Sequence, residues 1–251
     1  MRYGICTDVG LKRDINEDYY GVIESTKDMP SVFIIADGMG GHQAGEVASK
    51  LSVELTMSGI REGINKSMSK EEVEVKLKQI LEKVNKDVYD VAREDEDKYG
   101  MGTTLTAAVV MNGCLVVAHV GDSRLYSFRD NKLKRITTDH SYVEELVQNG
   151  TITTEEALDH PKKNILTRVI GYFKVVEIDT YECVTDSKET FLMCTDGLTN
   201  MVSESRIKEI LSKEDKLQSI ANSLVKESNK NGGVDNTTVI VFGNEVADNG
   251  R

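Results

Sequence analysis

The chain has 251 residues, 42 acidic and 31 basic, giving a formal charge of −11. With 29% charged residues, 39% hydrophobic residues and two prolines, the composition is that of a globular protein and excludes a disordered or fibrous one. A pI near 5.0 argues against binding to nucleic acid or as a basic membrane-surface helix, both of which need clustered positive charge, and no apolar run approaches the ~20 residues that span a bilayer.

Arg2 to Val9 alternates loosely and reads as a strand. The adjacent acids Glu17 and Asp18 precede a second strand-like run, YYGVI. Val32 to Ala36 is a short apolar run that stops at Asp37-Gly38, as a buried strand feeding a turn does. From Ala44 to about Ile64 the spacing is helical, with Val47, Leu51 and Leu55 on one face. Ser69 and Glu72 form a capping-box pattern. Val73, Leu77, Ile80, Leu81, Val84, Val88 and Val91 follow at helical spacing, up to the solvated run Arg93 to Lys98.

The period then changes. Thr103 to Met111, Cys114 to Val120 and Leu125 to Phe128 are rich in β-branched and apolar residues, and Asn112-Gly113 and Asp130-Asn131 supply hairpin turns. Thr137 to Gly171 is polar and short-patterned, a surface excursion with one or two short helices. Strands return at Val175 to Cys183 and Thr190 to Cys194, helices at Ser203 to Leu211 and Asp215 to Asn229, and a last strand at Thr237 to Phe242. Hairpin-rich strand blocks with long amphipathic helices, and no regular strand–helix alternation, predict an α+β fold of antiparallel sheets covered by helices. The absence of repeats, low-complexity tracts and Pro- or Ser-rich linkers favours a single domain.

The cysteines Cys6, Cys114, Cys183 and Cys194 form no C-x-x-C pair, so neither a zinc ribbon nor a redox pair is supported. Cys194 is followed within six residues by no arginine, which speaks against a cysteine-nucleophile phosphatase and for a buried hydrophobe. The N-terminus lacks the apolar core of a signal peptide, and a cytoplasmic location is expected. More informative are the acids. Asp37, Asp122, Asp196 and Asp235 each sit at the end of an element that reaches the core, and Glu17-Asp18 precedes another. Any one Asp-Gly is ordinary turn chemistry. As a set, carboxylates gathered without cations would raise one another's pKa, whereas hard oxygen donors suit Mg²⁺ or Mn²⁺. The glycine-dense Asp37 to His42 segment lacks the lysine of a nucleotide-binding phosphate loop.

Arg13-Asp-Ile-Asn-Glu17-Asp18, Asp37-Gly-Met-Gly-Gly-His42, Met101-Gly-Thr-Thr104, His119-Val-Gly-Asp122-Ser-Arg124, Asp139-His-Ser141, Leu166-Thr-Arg168 with Gly171, Cys194-Thr-Asp196-Gly197-Leu198 and Asp235-Asn236-Thr-Thr238 occur in that order over nearly the whole chain. Together they resemble the metal-dependent protein phosphatases of type 2C, in their bacterial form. The resemblance implies a four-layer α-β-β-α sandwich, two antiparallel sheets flanked by helices, with a two-metal site at one end. It implies one catalytic domain over 1–243, a flap over about 137–166, and a tail at 244–251. The implied reaction is hydrolysis of phosphoserine and phosphothreonine in proteins by a metal-bridging hydroxide, opposing a bacterial serine/threonine kinase, in a monomer.

On the same resemblance, Asp37 bridges two Mn²⁺ or Mg²⁺ ions. The Gly38 carbonyl binds the first, Asp196 and Asp235 bind the second, and Glu17 and Asp18 act through metal-bound waters. Asp122, helped by Asp196, holds a third, weaker ion, and Arg13 grips the substrate phosphate. Animal members place a histidine directly after the metal-binding Asp-Gly, where this chain has Met39. His42 is the nearest histidine, either protonating the leaving group or supporting the loop. His119, inside an apolar run, reads as a core histidine. A catalytically silent scaffold on the same fold is the alternative, disfavoured because every implied acid is present. A two-metal nuclease is disfavoured by charge.

Overall fold

The computed structural model describes residues 1–40, 44–94, 96–111, 113–185, 188–213 and 216–243. Its strands are β1 (Arg2–Asp8), β2 (Asp18–Ile23), β3 (Ser31–Met39), β4 (Gly102–Thr103), β5 (Leu105–Met111), β6 (Cys114–Val120), β7 (Arg124–Arg129), β8 (Lys132–Arg135), β9 (Asp179–Val184), β10 (Thr190–Cys194) and β11 (Thr237–Gly243). Its helices are α1 (Ala44–Gly63), α2 (Lys70–Glu94), α3 (Tyr142–Gln148), α4 (Thr154–Leu158), α5 (Asp196–Thr199), α6 (Glu204–Lys213) and α7 (Leu217–Lys230).

Two antiparallel sheets result. One runs β1-β11-β10-β7-β8; the other runs β2-β3-β5-β6-β9, with β4 paired to β3. β3 shows why its sequence is apolar without alternation. Val32, Ile34 and Ala36 pack with Val53, Ile60, Leu77 and Leu81 of α1 and α2, while Phe33 and Ile35 pack with Phe191, Ile240 and Phe242 of the other sheet. A strand buried on both faces needs apolar residues at every position. Between the sheets, Phe33 stacks on Phe242 at 4.1 Å and Phe191 on Phe242 at 5.2 Å, centroid to centroid. On the far side, Leu192, Cys194, Val239 and Val241 pack with Ile207, Ile210, Ile220 and Leu224 of α6 and α7. These three apolar interfaces are the seams of a four-layer α-β-β-α sandwich.

The capping box at Ser69 and Glu72 forms in both directions. Asp130 and Asn131 take positive φ (48° and 58°), the backbone of a two-residue hairpin turn, and lead into β8. β8 had no apolar run to announce it, since Lys132-Leu-Lys-Arg135 is an edge strand with cationic side chains. The segment expected as a strand from Val175 begins its ladder only at Asp179, where pairing with β6 starts. Asp215, expected to open a helix, lies outside the described residues, and α7 begins at Leu217. The polar excursion holds α3 and α4, each N-capped by a hydroxyl, from Ser141 and Thr153. No helix among the described residues is long and apolar enough to cross a membrane.

Candidate functional site

The acids sit where strands end. Asp37 closes the apolar run of β3, and Asp18 opens β2 directly opposite it in the antiparallel register. Asp122 lies in the turn between β6 and β7. Asp196 opens α5 two residues after β10, and Asp235 stands two residues before β11, the neighbour of β10. Arg13, Glu17, Asp37, Gly38, Asp122, Asp196 and Asp235 consequently line one cleft of about 460 Å³. Asp18 is not among its lining; it is buried, 6% exposed. His42 lies outside the described residues.

Neutral hydrogen bonds hold these segments together. The Thr104 hydroxyl receives the Asp37 N–H (2.8 Å), and the Thr103 hydroxyl donates to the Asp37 carbonyl (2.8 Å). Ser49 of α1 donates to the Glu17 carbonyl (2.6 Å) and the Gly38 N–H donates to the same oxygen (3.1 Å). Asn236 accepts the Glu17 N–H at 2.8 Å and donates to the carbonyls of Val9 and Ile15, both at 2.9 Å. The glycines that follow Asp37 and Asp196 are required by close approach. A Cβ on Gly38 would stand 2.1 Å from the Gly45 carbonyl oxygen, and one on Gly197 would stand 1.9 Å from that of Asn236.

The electrostatics are unfavourable without a cation. Burial pushes the Asp37 carboxyl well above its ordinary range, and Asp18, Asp196, Asp122 and Asp235 push it further. Burial raises Asp18 to about 7, against hydrogen bonds from Thr238 and Thr195 that oppose the shift. Asp122 and Asp196 are raised by burial and by neighbouring acids, and Glu17 by burial, opposed by Arg13. Like charges directly opposite on paired strands are destabilising. Among the described residues, the buried oxygens Glu17 Oε1 and Asp18 Oδ1 have no hydrogen-bond partner. A buried acceptor left so is costly. Hard oxygen donors in excess of protons and partners fit divalent cations such as Mg²⁺ or Mn²⁺. Among the described residues no three acidic, histidine or cysteine side chains are placed to hold one ion. Arg13 occupies Asp235 (2.8 Å), and Asn200 donates to Asp196 (2.9 Å).

Residues 12–232 match the protein phosphatase 2C family. The chain belongs to this family. It is 42% identical over 245 residues to the serine/threonine phosphatase stp of Listeria monocytogenes, covering 98% of this chain and 96% of that one. It is 37% identical over 240 residues to protein phosphatase PhpP of Streptococcus pneumoniae, covering 95% and 96%. The crystal structure of serine/threonine phosphatase Stp1 from Staphylococcus aureus superposes with a TM-score of 0.91 at 36% identity, covering 97% of this chain and 94% of that chain. Membership in the phosphatase 2C family implies dependence on a metal ion.

Two side-chain networks in this phosphatase fold received no role from the sequence. Arg124 of β7 donates from Nε and Nη2 to Asp139 (3.0 and 2.7 Å), and Arg135 joins the same carboxylate at 2.8 Å while reaching Glu144 of α3 at 3.3 Å. Arg124 also opposes the upward shifts of Asp122 and Asp196. In the second, the Gly121 N–H donates to His140 Nδ1 (3.1 Å), so the ring proton sits on Nε2, facing Asp179 at 3.1 Å. The motifs Gly-Asp122-Ser-Arg124 and Asp139-His140 were visible as motifs; nothing in their spacing said that they pair. His119 is a core histidine, held between Thr106 and the Thr138 carbonyl and pushed down to about 3 by burial and by His140. Cys194 is buried, and burial pushes its thiol up to about 12, which leaves it no nucleophile.

Proposed function

We propose that this chain is a metal-dependent protein phosphatase that hydrolyses phosphoserine and phosphothreonine in proteins, opposing a serine/threonine kinase. One observation carries the reading: in a chain of the phosphatase 2C family, five acids from distant segments and a single arginine line one cleft. Asp37, the Gly38 carbonyl, Asp196 and Asp235 are the donors for two divalent cations, Mn²⁺ or Mg²⁺. Glu17 and Asp18 act from behind them, and Asp122 with Asp196 holds a third, weaker ion. When bound, such ions supply Lewis-acid charge and ionise water near neutral pH.

The chain's own residues do the rest. Arg13 is half exposed at the cleft, and its planar fork matches two phosphate oxygens. Asp235 holds that guanidinium in place and, with Glu17 and Asp37, raises its pKa against the opposing effect of burial, so it stays charged. Thr104 and Asn236 fix the backbone on which the donors ride. His42 is the candidate to protonate the leaving alkoxide or to support its loop. The catalytic unit is residues 1–243, and the segment 137–166, with α3 and α4, is its flap. The free thiols of Cys6, Cys114, Cys183 and Cys194 suit a reducing, cytoplasmic compartment.

The test is phosphate release from a phosphothreonine peptide with Mn²⁺, with EDTA, and with Asp235→Asn. Turnover that needs Mn²⁺ and is lost in the variant supports the reading. No release at high enzyme and metal concentration would mean a silent scaffold on this fold.

A further inference from the structure

The cleft that holds the acids has a second kind of lining. Ile165, Val169, Tyr172 and Phe173 line it too. Ile165, Tyr172 and Phe173 are 48%, 48% and 49% exposed, and none belongs to the three apolar cores. The Tyr172 and Phe173 rings meet edge to face, 4.9 Å between centroids.

The backbone under these rings is firmly held. Buried Asn85 of α2 accepts the Gly171 N–H at 2.9 Å and donates to the carbonyls of Phe173 (3.0 Å) and Lys174 (3.3 Å). Gly171 has a φ of +81°, and a Cβ there would stand 2.4 Å from Val88, so the chain turns against α2 at that point. Ile170 exchanges both backbone hydrogen bonds with Thr103, whose hydroxyl donates to the Asp37 carbonyl. The ring-bearing segment is therefore tied to the acidic segment through one intervening residue. Anchored backbone with aromatic side chains left in water is the arrangement of a recognition surface, not of a core.

The occupant follows from the position. An extended peptide advances about 3.3 Å per residue, so a side chain one or two residues from the phosphorylated one falls within about 7 Å of it, on the scale of this cleft. Arg13 is the one cation lining the cleft among the described residues, and Asp235 already holds it. An acidic flanking side chain would lose hydration against these apolar rings, whereas an apolar one would cover them. We propose that Tyr172 and Phe173, with Ile165, are specificity-determining residues that take an apolar side chain one or two positions from the phosphothreonine or phosphoserine of the substrate. This rests on the phosphatase reading above.

The experiment uses the full chain with Mn²⁺ and phosphothreonine peptides carrying Leu, Gly or Glu at the flanking positions. At the best position, partial burial of leucine should favour the Leu over the Gly peptide by roughly tenfold in kcat/KM, with Glu below Gly. In Tyr172→Ala/Phe173→Ala the Leu-to-Gly ratio should fall to about one. In Tyr172→Leu/Phe173→Leu, which keeps the wall apolar, it should stay well above one. Phe173→Lys should raise the Glu peptide relative to Leu, a gain that lost packing could not produce. Equal turnover of all three peptides by the wild type overturns the proposal and leaves the phosphatase reading intact. So does a ratio unchanged in the double alanine variant, or a variant that alters self-association and not selectivity. Turnover of none of the peptides by the wild type refutes the phosphatase reading and this proposal with it.

Discussion

Replacing Asp18 by asparagine in EDTA should stabilise the protein, and the gain should grow with pH. Asp18 is 6% exposed and stands opposite Asp37 in the β2–β3 register. Its carboxyl is raised from 3.8 to about 7 by burial, and hydrogen bonds from Thr238 and Thr195 oppose the shift. The folded state therefore keeps a proton that the unfolded chain has already released. The favourable contribution is complete below pH 4 and is lost as pH rises toward 7. At about 1.4 kcal/mol per pH unit, Asp18 costs the wild type on the order of 3 kcal/mol between pH 5 and pH 7.5, a loss that asparagine at this position, which does not titrate, does not incur. For a chain of this size that is about 6–12 °C in Tm. Buried His119, pushed down to about 3, works in the opposite direction, because it must stay neutral where the unfolded imidazole protonates. That contribution is common to both proteins and cancels in the difference. Thermal melts of both proteins in EDTA at pH 5, 6, 7 and 7.5 and equal ionic strength give the comparison. A Tm difference that is flat across this range, or a variant less stable by more at pH 7.5 than at pH 5, would refute the account of the site as a store of like-charge repulsion.

Asp37→Asn should abolish Mn²⁺-dependent turnover and remove most of the rise in Tm that Mn²⁺ gives the wild type, both read on the same preparations. Arg13→Ala should raise KM for a phosphopeptide on the order of ten- to a hundredfold with a smaller change in kcat, since charged hydrogen bonds are lost; Arg13→Lys should rescue little of it, for want of the planar fork. Arg124→Met leaves Asp139, 7% exposed, with only Arg135 as ion-pair partner, and should cost about 2–3 kcal/mol in urea unfolding; adding Asp139→Asn should recover part of that. Phe242→Ala removes the ring between Phe33 and Phe191 and should cost about 3–5 kcal/mol in the same assay.

The layers were legible because burial leaves a periodic trace. Val73 to Val91 marks one face of a helix, and the unbroken VFIIA of β3 marks a strand covered on both sides. β8 left no such trace, since an edge strand can satisfy itself with Lys, Arg and one leucine. β9 starts later than its sequence suggests because Val175 and Val176 look strand-like, while pairing with β6 begins only at Asp179. The acids could be picked out by their place at strand ends. That they share one site came only through the family resemblance and not from spacing, because Asp37, Asp122, Asp196 and Asp235 meet through the packing of two sheets whose strand order is not chain order. The pairing of Arg124 with Asp139, and of Asn85 with the Gly171 to Lys174 backbone, was illegible for a related reason. Each joins residues on different elements, and neither hydrogen-bonded pair carries a local pattern.

What keeps mutually repelling carboxylates together is a frame of uncharged groups. Thr103, Thr104, Ser49, Asn236 and Thr195 hold the backbone or the side chains of Asp37, Glu17 and Asp18 by hydrogen bonds that do not depend on any ion. Those bonds join β2, β3, β4, α1 and the segments flanking β10 and β11, so separating the acids means breaking the sandwich at that end. The repulsion is thus carried by folding rather than relieved by movement, which is why it should surface as pH-dependent stability and not as a loosened site. The same frame explains the tight glycines. At Gly38 and Gly197 the neighbouring carbonyl stands where a Cβ would be, and a methyl there would push apart the segments whose approach brings the donors into one cleft. Stability is thus given up, through the same few residues, for the gathering of these acids, in the direction common to functional sites.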